Sequence, residues 1–526
     1  YDMHGIESLG LLKMDFLGLR NLSTIERAVR LIEKIRGVAV NIETLPLDDR
    51  PTFKLFQEAR TTGVFQMESS GMKRYLKELK PTELEDLIAM VALYRPGPME
   101  YLPSYINRKH RRERVTYLHP KLEPILGPTY GIGVYQEQMM RIARDLAGFS
   151  LPEADTLRKA IGKKIKSLLN QQQEKLVSGM VKQGIKPETA QAVWELFPAF
   201  ARYGFNRSHA ACYALIAYQT GYLKAHYPAE YMAALMTAEG FEIERVAFLI
   251  DEAKAMQIEV LPPDVNESFE NFTVLTDPEG HPTEPPKIRF GLSAIKNVGS
   301  NIVTSIIEAR KTGNAFRSLT DFIERIPVKD LNRKSMEALA KCGAMDGLAE
   351  RNQILENLER LLTYAREEEK RRQSSQTSLF GGNEAARQNE VHLQDAEPAS
   401  KRERLDWEKE LLGLYVSEHP LSEYADKLKD KVTMMNKLDP QSLRGRVVSV
   451  GGIVSTIKKI LTKSGAPMLF VTMEDATAKT EVLVFPSVLE KNPAIWQTNK
   501  ILLVRGKLSD KDGEPKILCD TVSEVV

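Results

Sequence analysis

Cysteine and long apolar runs are both scarce in this sequence. Its 526 residues include three cysteines, Cys212, Cys342 and Cys519, which lie far apart and form no C-x-x-C pair. This spacing is typical of buried thiols in a reducing compartment and argues against a disulfide or zinc framework. No apolar run is long enough to cross a bilayer, and no signal-peptide pattern opens the chain. We therefore expect a cytoplasmic protein without a membrane partner.

An excess of charge of one sign is also lacking. The 73 Lys and Arg residues nearly balance the 71 Asp and Glu residues, which leaves a formal net charge of +2. This total neither supports nor excludes a nucleic-acid partner, because the distribution of charge decides such binding. The length predicts about three to five domains. Because the chain begins at Tyr1 in the middle of a folded pattern, we expect a segment of a longer polypeptide.

One acidic side chain stands in an apolar stretch near the start, GLLKMDFLGLRNLS. The apolar residues Leu12, Met14 and Phe16 alternate, which predicts a strand that sends them to one face. Lys13 and Asp15 then share the opposite face. From these residues alone, two interpretations stay open: the floor of a charged cleft, or an ordinary half-exposed strand with a surface ion pair.

A second segment, EADTLRKAIGKKIKS, concentrates positive charge on a predicted helix. It places Arg158, Lys159, Lys163 and Lys164 within about two to three helical turns. Lys159 and Lys163 are four residues apart, so they repel each other, and a polyanion along that face would relieve the repulsion. The alternative is a solvated basic surface.

A third segment begins with YGFNRSHAACYAL and continues as a long predicted helix. Its first residues form a compact group of donors: Asn206, Arg207, Ser208 and His209. Donors at the start of a helix suit the phosphates of a triphosphate, because the helix dipole also favours negative charge there. Capping the helix or satisfying a core group is an equal alternative for His209.

Two further stretches predict nucleic-acid binding. IKNVGSNIVTSIIEAR has the pattern of a helix-hairpin-helix, whose hairpin amides near Lys296 and Gly299 would bind backbone phosphates without reading sequence. Many glycine-interrupted helical turns look similar. From residue 444 onward, short alternating strands with glycine-containing turns predict a small closed barrel of the OB type.

An isolated Leu-Phe pair stands in a charged stretch, residues 366–404, that we expect to be largely disordered. It belongs to the pentapeptide QTSLF, which contains Gln376, Leu379 and Phe380. A peptide of this kind suits docking of two apolar side chains in the groove of a partner. The alternative is a chance hydrophobic pair.

Several blocks, taken in order, resemble those of one family. GLLKMDFLGLRNL, TTGVFQMES, ALYRPGPME, TYGIGVYQEQMM, LRKAIGKK and YGFNRSHAACYAL are similar to successive blocks of the bacterial DNA polymerase III alpha subunits, the C-family replicative polymerases. The resemblance covers essentially the whole chain. It implies a multidomain α+β fold: 1–45 as the end of a nucleotidyltransferase-type palm, 46–260 as mostly α-helical fingers, 261–364 as a helix-hairpin-helix region, 365–403 as a flexible linker with a clamp-binding peptide, 404–443 as a helical connector, and 444–526 as an OB-fold.

The resemblance also implies a function, DNA-template-directed DNA synthesis with two Mg²⁺ ions. Asp15 would be a catalytic metal ligand and Lys13 its neighbour in the cleft. The deoxynucleoside triphosphate and the primer-template DNA would be bound by one polar set: Arg158, Lys159, Lys163, Lys164, Asn206, Arg207, Ser208, His209, Lys296 and Gly299. Gln376, Leu379 and Phe380 would anchor a sliding clamp. Clamp-loader and proofreading subunits are the other implied partners.

The chain departs from the family pattern where the metal site is concerned. The phosphoesterase-like domain, the thumb and the palm segment with the first two aspartates are absent, and the adjacent Asp48 and Asp49 do not replace that pair. One aspartate cannot hold two metal ions, so we expect the isolated chain to be inactive. Two other interpretations stay open: a non-catalytic DNA- and clamp-binding module, and an error-prone paralogue of the same family.

Overall fold

The computed structural model describes most of the chain, in two compact units. The described residues are 2–12, 14, 18–163, 166–197, 204–373, 391–415, 420–428, 431–438, 445–462, 464–475, 477–509 and 515–525. The first unit contains Tyr1–Leu55, Val64–Gln66 and Pro81–Ala238. The second unit contains Phe56–Gly63, Met67–Lys80 and Glu239–Val526.

Helices dominate the first half of the described chain. They are α1 (Met3–Ser8), α2 (Arg20–Arg36), α3 (Arg50–Gln57), α4 (Ser70–Leu79), α5 (Leu84–Leu93), α6 (Leu102–Lys109), α7 (Glu123–Leu126), α8 (Gln136–Ala147), α9 (Leu151–Lys163), α10 (Lys166–Lys182), α11 (Pro187–Trp194), α12 (Arg207–His226), α13 (Pro228–Ala238) and α14 (Ile243–Ala255).

The second half adds further helices and eight strands. The helices are α15 (Ser300–Gly313), α16 (Leu319–Arg325), α17 (Arg333–Lys341), α18 (Arg351–Glu356), α19 (Leu358–Gln373), α20 (Lys401–Leu412), α21 (Ala425–Leu428) and α22 (Pro486–Lys491). The strands are β1 (Glu259–Leu261), β2 (Thr273–Val274), β3 (Lys287–Arg289), β4 (Val447–Leu461), β5 (Pro467–Glu474), β6 (Lys479–Val484), β7 (Ile501–Ser509) and β8 (Lys516–Glu524).

Apolar side chains at helical spacing build a core in the first unit. In α8 the buried apolar residues are Met139, Ile142, Ala143, Leu146 and Ala147. Spacings of three and four residues place them on one face of the helix. The neighbouring helices α9, α10 and α11 contribute the buried residues Leu157, Leu176 and Val193 to the same cluster. This packing holds the basic helix α9 beside α8.

The prediction of a strand near the start of the chain is wrong for the residues that the structure describes in that segment. Leu12 and Met14, expected on a buried face, are 83% and 64% exposed. The described residues 11, 12, 14, 18 and 19 form no strand. A lone strand leaves its backbone donors and acceptors unpaired, and the described part of residues 1–45 holds no second strand. Lys13, Asp15 and Phe16 lie outside the described residues.

A mixed sheet and a closed barrel are the β-structures of the second unit. In the small sheet, β3 pairs parallel with β1 and antiparallel with β2. The barrel has the strand order β4-β5-β6-β8-β7, and its last contact returns from β7 to β4. Alternate side chains of its strands, such as Val450, Val471, Val482 and Val504, are buried in the interior. The predicted OB-type barrel is therefore confirmed.

A bulge at Gly506 lets β7 and β8 pair along most of their length. The register shifts between Arg505 and Gly506. A Cβ atom at Gly506 would lie 2.1 Å from the carbonyl oxygen of Leu518. This distance is far inside van der Waals contact, so only glycine fits here without moving a strand.

The expectation of a largely disordered stretch is wrong on both of its flanks. Residues 366–373 belong to α19, whose Leu361, Leu362 and Ala365 are buried. Before α20, the side chain of Asn357 donates to the carbonyl of Gln394 at 2.9 Å and accepts from its amide at 2.8 Å. The first flank thus continues a packed helix and the second is held by polar contacts with Asn357, and composition reveals neither. The peptide with Gln376, Leu379 and Phe380 falls outside the described residues.

Candidate functional site

The long helix α12 begins at the donor group that the sequence singled out. Asn206 precedes the helix in extended conformation, and its side-chain oxygen accepts from the backbone amide of His209 at 2.8 Å. The cap is therefore Asn206, and the alternative role as a cap does not apply to His209. The ring of His209 instead stacks on Tyr213, with 4.2 Å between ring centroids. All four predicted donors, Asn206, Arg207, Ser208 and His209, are exposed.

Two carboxylates contact Arg207, the first residue of α12. Its backbone amide donates to both carboxylate oxygens of Glu137, at 3.1 and 3.0 Å. Its guanidinium donates to Glu85 at 2.6 Å and lies over the ring of Tyr135. The side chains of Arg207 and Glu85 are 47% and 43% exposed. The group at the start of α12 thus presents one guanidinium cation, is accessible to solvent and is already in contact with two carboxylates.

A short backbone bridge connects the start of α12 to α8. The amide of Phe205 donates to Val134 at 3.0 Å, and the amide of Gln136 donates back to Phe205 at 2.9 Å. The side chain of Gln136 continues this connection, because it donates to the carbonyl of Gly204 at 3.2 Å and accepts from Arg158 at 3.4 Å. The structure therefore brings Arg158 of α9 to the donor group at the start of α12.

The structure shows the contacts of two of the predicted basic residues of α9. Arg158 and Lys159 both contact Asp155, each at 2.8 Å. Hydrogen bonds from Lys159 and Arg158 lower the pKa of the Asp155 carboxyl, so it is ionised at neutral pH. Lys163 is the last residue of α9, but its side chain and the whole of Lys164 lie outside the described residues.

Arg95 belongs to this site although it was not among the predicted residues. Its guanidinium lies 4.5 Å above the ring of Phe205, and its Nε donates to the carbonyl of Ala92 at 2.9 Å. Burial lowers the pKa of Arg95 from its ordinary value. The signal for it was the block ALYRPGPME, where Gly97, two residues after Arg95, has a φ of +101° and turns the chain. That conformation requires glycine.

Lys296 and Gly299 lie in the second unit and take positions typical of a hairpin. Asn297 has a φ of +72°, Gly299 is the N-cap of α15, and both predicted residues are exposed. The hydroxyl of Ser335 donates to the carbonyl of Asn297 at 3.2 Å, which places α17 beside the turn. Gly299 and Ser300, where α15 begins, are exposed, whereas the amide of Lys296 donates to the carbonyl of Leu411 at 3.1 Å.

The outer face of the barrel carries an aromatic side chain beside a cation. Phe470 of β5 is the direct cross-strand neighbour of Lys458 on β4 and of Leu483 on β6. Lys458 is exposed and Phe470 is half-buried. Aromatic rings and nearby cations are the two elements of a surface that binds single-stranded nucleic acid. No residue of this face was named from the sequence, because only the strand pairing places Lys458 next to Phe470.

Neither a metal-binding cluster nor a membrane span occurs in the described part of the chain. No group of three His, Cys, Asp or Glu side chains there is arranged to hold a metal ion. Asp15, the predicted magnesium ligand, falls among the residues that the structure leaves undescribed. Of the helices described, none combines the length and apolar content that a membrane span requires.

Comparison with known families accounts for three parts of the chain. Residues 21–184 match the model of the bacterial DNA polymerase III alpha subunit finger domain. Residues 257–354 match a helix-hairpin-helix motif model. Residues 448–525 match an OB-fold nucleic acid binding domain. The matches confirm the expected fold class, with fingers, helix-hairpin-helix and OB-fold parts.

Whole-chain relatives point to the same family. The chain is 42% identical to the DNA polymerase III subunit alpha of Thermus aquaticus, over 99% of the chain and 42% of the relative. It is 41% identical to that of Halalkalibacterium halodurans, over 99% of the chain and 45% of the relative. For Escherichia coli K12 the identity is 40%, over 97% of the chain and 45% of the relative. The chain thus spans less than half the length of the curated relatives that it matches. It belongs to the family of bacterial DNA polymerase III alpha subunits.

Proposed function

We propose that this chain contributes nucleotide and DNA binding to DNA-template-directed DNA synthesis in bacterial chromosome replication. The observation that carries the proposal is the meeting of two basic segments that lie about 50 residues apart in sequence. Gln136 links Arg158 to the start of α12, where the exposed Arg207 already holds carboxylates at its amide and at its guanidinium. Cations and helix amides at one place are a general means of binding phosphate.

In this proposal the triphosphate of an incoming deoxynucleotide lies between α9 and the start of α12. Arg207 and Arg158 donate charge-assisted hydrogen bonds to its phosphate oxygens, and the first amide of α12, that of Arg207, completes the contact. Arg95 is held by Phe205 and adds positive charge in a partly desolvated position. A low local dielectric strengthens the attraction between this charge and phosphate. The residues orient the nucleotide; they do not themselves transfer it.

Magnesium enters the proposal through the family resemblance. The ions would activate the primer hydroxyl and stabilise the leaving pyrophosphate, and Asp15 would be the ligand that this chain provides. The described residues alone do not make a magnesium site. The chain alone is therefore expected to bind a nucleotide without joining it to a primer.

The nucleotide site is tested by binding of a fluorescent deoxynucleoside triphosphate to the whole chain. Arg158→Ala and Arg207→Ala should each weaken binding by about tenfold, the effect of losing one charge-assisted hydrogen bond. Arg30→Ala is the matched control, since Arg30 is also an arginine of the first unit in an ion pair, 2.5 Å from Glu26. Equal affinities for all four proteins would refute the site.

Catalysis is tested by complementation. A second polypeptide with the remaining palm and the thumb is added together with Mg²⁺, primed template and nucleotides. The polymerase proposal expects primer extension that is lost in Asp15→Ala. Extension at the same rate with Asp15→Ala would favour a non-catalytic DNA- and clamp-binding module instead.

Partners beyond DNA and nucleotides follow from the family. We propose that the QTSLF peptide binds a sliding clamp, and that clamp-loader and proofreading subunits assemble with the complete subunit in the cytoplasm. Replacing Leu379 and Phe380 by Ala should abolish clamp binding in a pull-down and leave primer-template affinity unchanged. Clamp binding that persists in this variant would refute the assignment.

A further inference from the structure

The phosphate-binding position proposed at the start of α12 already holds an anion. The first amides of a helix lack partners within the helix, and the helix dipole places partial positive charge there. In this chain the first amide of α12, that of Arg207, is taken by both oxygens of the Glu137 carboxylate. The guanidinium of the same residue is taken by Glu85.

These contacts are tertiary. Glu137 is 70 residues from Arg207 in sequence, and Glu85 is 122 residues away. Each belongs to the first turn of its own helix, α8 or α5. The backbone bridge between Gln136 and Phe205 fixes the position of Glu137 relative to α12. The carboxylate is therefore placed at the amide by the fold and not by the local course of the chain.

We propose that Glu137 is an internal counter-anion, which occupies the first amide of α12 until a phosphate of the nucleotide displaces it. The inference rests on the proposed nucleotide site and adds which group occupies that site when no nucleotide is bound. A carboxylate with one negative charge satisfies the amide and neutralises the helix end. A triphosphate carries more charge and replaces it, because its oxygens reach Arg158 and Arg207 at the same time.

Glu137 thereby becomes a residue that sets nucleotide affinity without being required for it. A ligand that competes with a resident anion binds more weakly than one that enters an empty position. Removing the charge of Glu137 should therefore strengthen nucleotide binding, whereas removing a true phosphate ligand such as Arg207 should weaken it. The opposite signs separate the two roles.

The test compares Glu137→Gln with a matched control, Glu188→Gln, in the whole chain. Glu188 is also a glutamate in the first turn of a helix, α11, and it is exposed. Both variants lose the same favourable charge at a helix N-terminus, so thermal unfolding should shift by a similar small amount in each. Affinity for the fluorescent deoxynucleoside triphosphate should rise about two- to fivefold in Glu137→Gln alone, the size expected for an exposed charge contact.

The possible outcomes distinguish this inference from the proposed function. An unchanged or weakened affinity in Glu137→Gln, with normal binding by the unaltered chain, overturns the counter-anion and leaves the nucleotide site standing. The same gain in Glu188→Gln also overturns it, because the effect would then be one of overall charge. No binding by the unaltered chain overturns the nucleotide site and the counter-anion together.

Discussion

Arginine makes ion pairs of similar length in the two units but in different surroundings. In the second unit Arg351 is 5% exposed, and its guanidinium contacts Glu408 at 3.0 Å and Asp346 at 2.8 Å. In the first unit Arg207 is 47% exposed and contacts Glu85 at 2.6 Å. Glu408 is almost fully buried, whereas Glu85 is 43% exposed.

The difference shows that burial, and not distance, separates a structural ion pair from one that a ligand can open. A buried charge that loses its partner is left desolvated and unpaired, which costs several kcal/mol. An exposed charge that loses its partner is taken up by water, so the pair adds little to stability. Arg351 therefore holds α18 to α20, while Arg207 would exchange a carboxylate for a phosphate in the proposed nucleotide site.

The largest expected effect tests the buried pair. Glu408→Ala leaves Arg351 without its buried partner and should lower the free energy of unfolding by about 3–5 kcal/mol. Urea unfolding followed by the fluorescence of Trp407, the neighbouring residue in α20, measures the change. Glu410→Ala is the control, because Glu410 is exposed on the same helix. If both variants unfold at the same urea concentration, the buried pair is not structural.

Thiol reactivity sharpens the same contrast. Cys342 lies next to Lys341, whose carbonyl accepts from Arg351, and burial raises the pKa of Cys342 to about 12. Cys212 is exposed on α12. Since the thiolate is the reactive form, iodoacetamide at pH 8 should modify Cys212 at least roughly a hundredfold faster than Cys342. Peptide mapping by mass spectrometry measures both rates. Comparable rates in the native protein would contradict the burial of the Arg351 region.

A smaller effect is expected at the exposed pair. Arg207→Ala should change the free energy of unfolding by less than about 1 kcal/mol, because water replaces Arg207 as the partner of the exposed Glu85 carboxylate. The same variant is expected to lose most nucleotide affinity. Thermal unfolding with and without nucleotide measures both quantities. If Arg207→Ala greatly lowered the stability of the protein without ligand, the contrast between the exposed Arg207 and the buried Arg351 would be wrong.

The smallest effect concerns a second exposed pair, Glu153 and Lys175, which are 2.5 Å apart. The hydrogen bond from Lys175, together with those from Ser150, lowers the pKa of Glu153 from 4.5 to about 2. The unfolded chain therefore binds this proton first, so the stabilisation is complete above pH 4.5 and disappears as the pH falls towards 2. The difference in unfolding temperature between the natural chain and Glu153→Gln should shrink over that range. A difference that does not depend on pH would contradict the low pKa.

Sequence patterns predicted the helices and strands that depend mainly on residues close to one another in the sequence. The period of two in VLVFP and LLVRG indicated barrel strands, and the donors at Asn206–His209 indicated the start of α12. These signals suffice because side-chain alternation and helix capping depend on neighbours in sequence. The approach of Arg158 to α12 was not predictable in this way, since it depends on the side chain of Gln136 and on a bridge between Tyr135 and Phe205.

The wrong predictions also have physical reasons. Alternation at Leu12 and Met14 predicted a strand, but a strand needs a partner strand that no pattern in those residues provides. Low apolar content predicted disorder before α20, yet the amide of Asn357 and the carboxylate of Glu350 pair with the backbone there. Arg95 and Glu137 escaped notice because their importance comes from contacts made across the fold.

The barrel closes at a point where a hydrogen atom is the largest side group that fits. At Gly506 even a methyl group would press against the carbonyl of Leu518 and separate β7 from β8. Alanine at position 506 would leave every contact of the first unit intact and yet open the barrel between β7 and β8. Such a substitution is a rational route to a heat-sensitive allele whose defect is confined to the OB-fold.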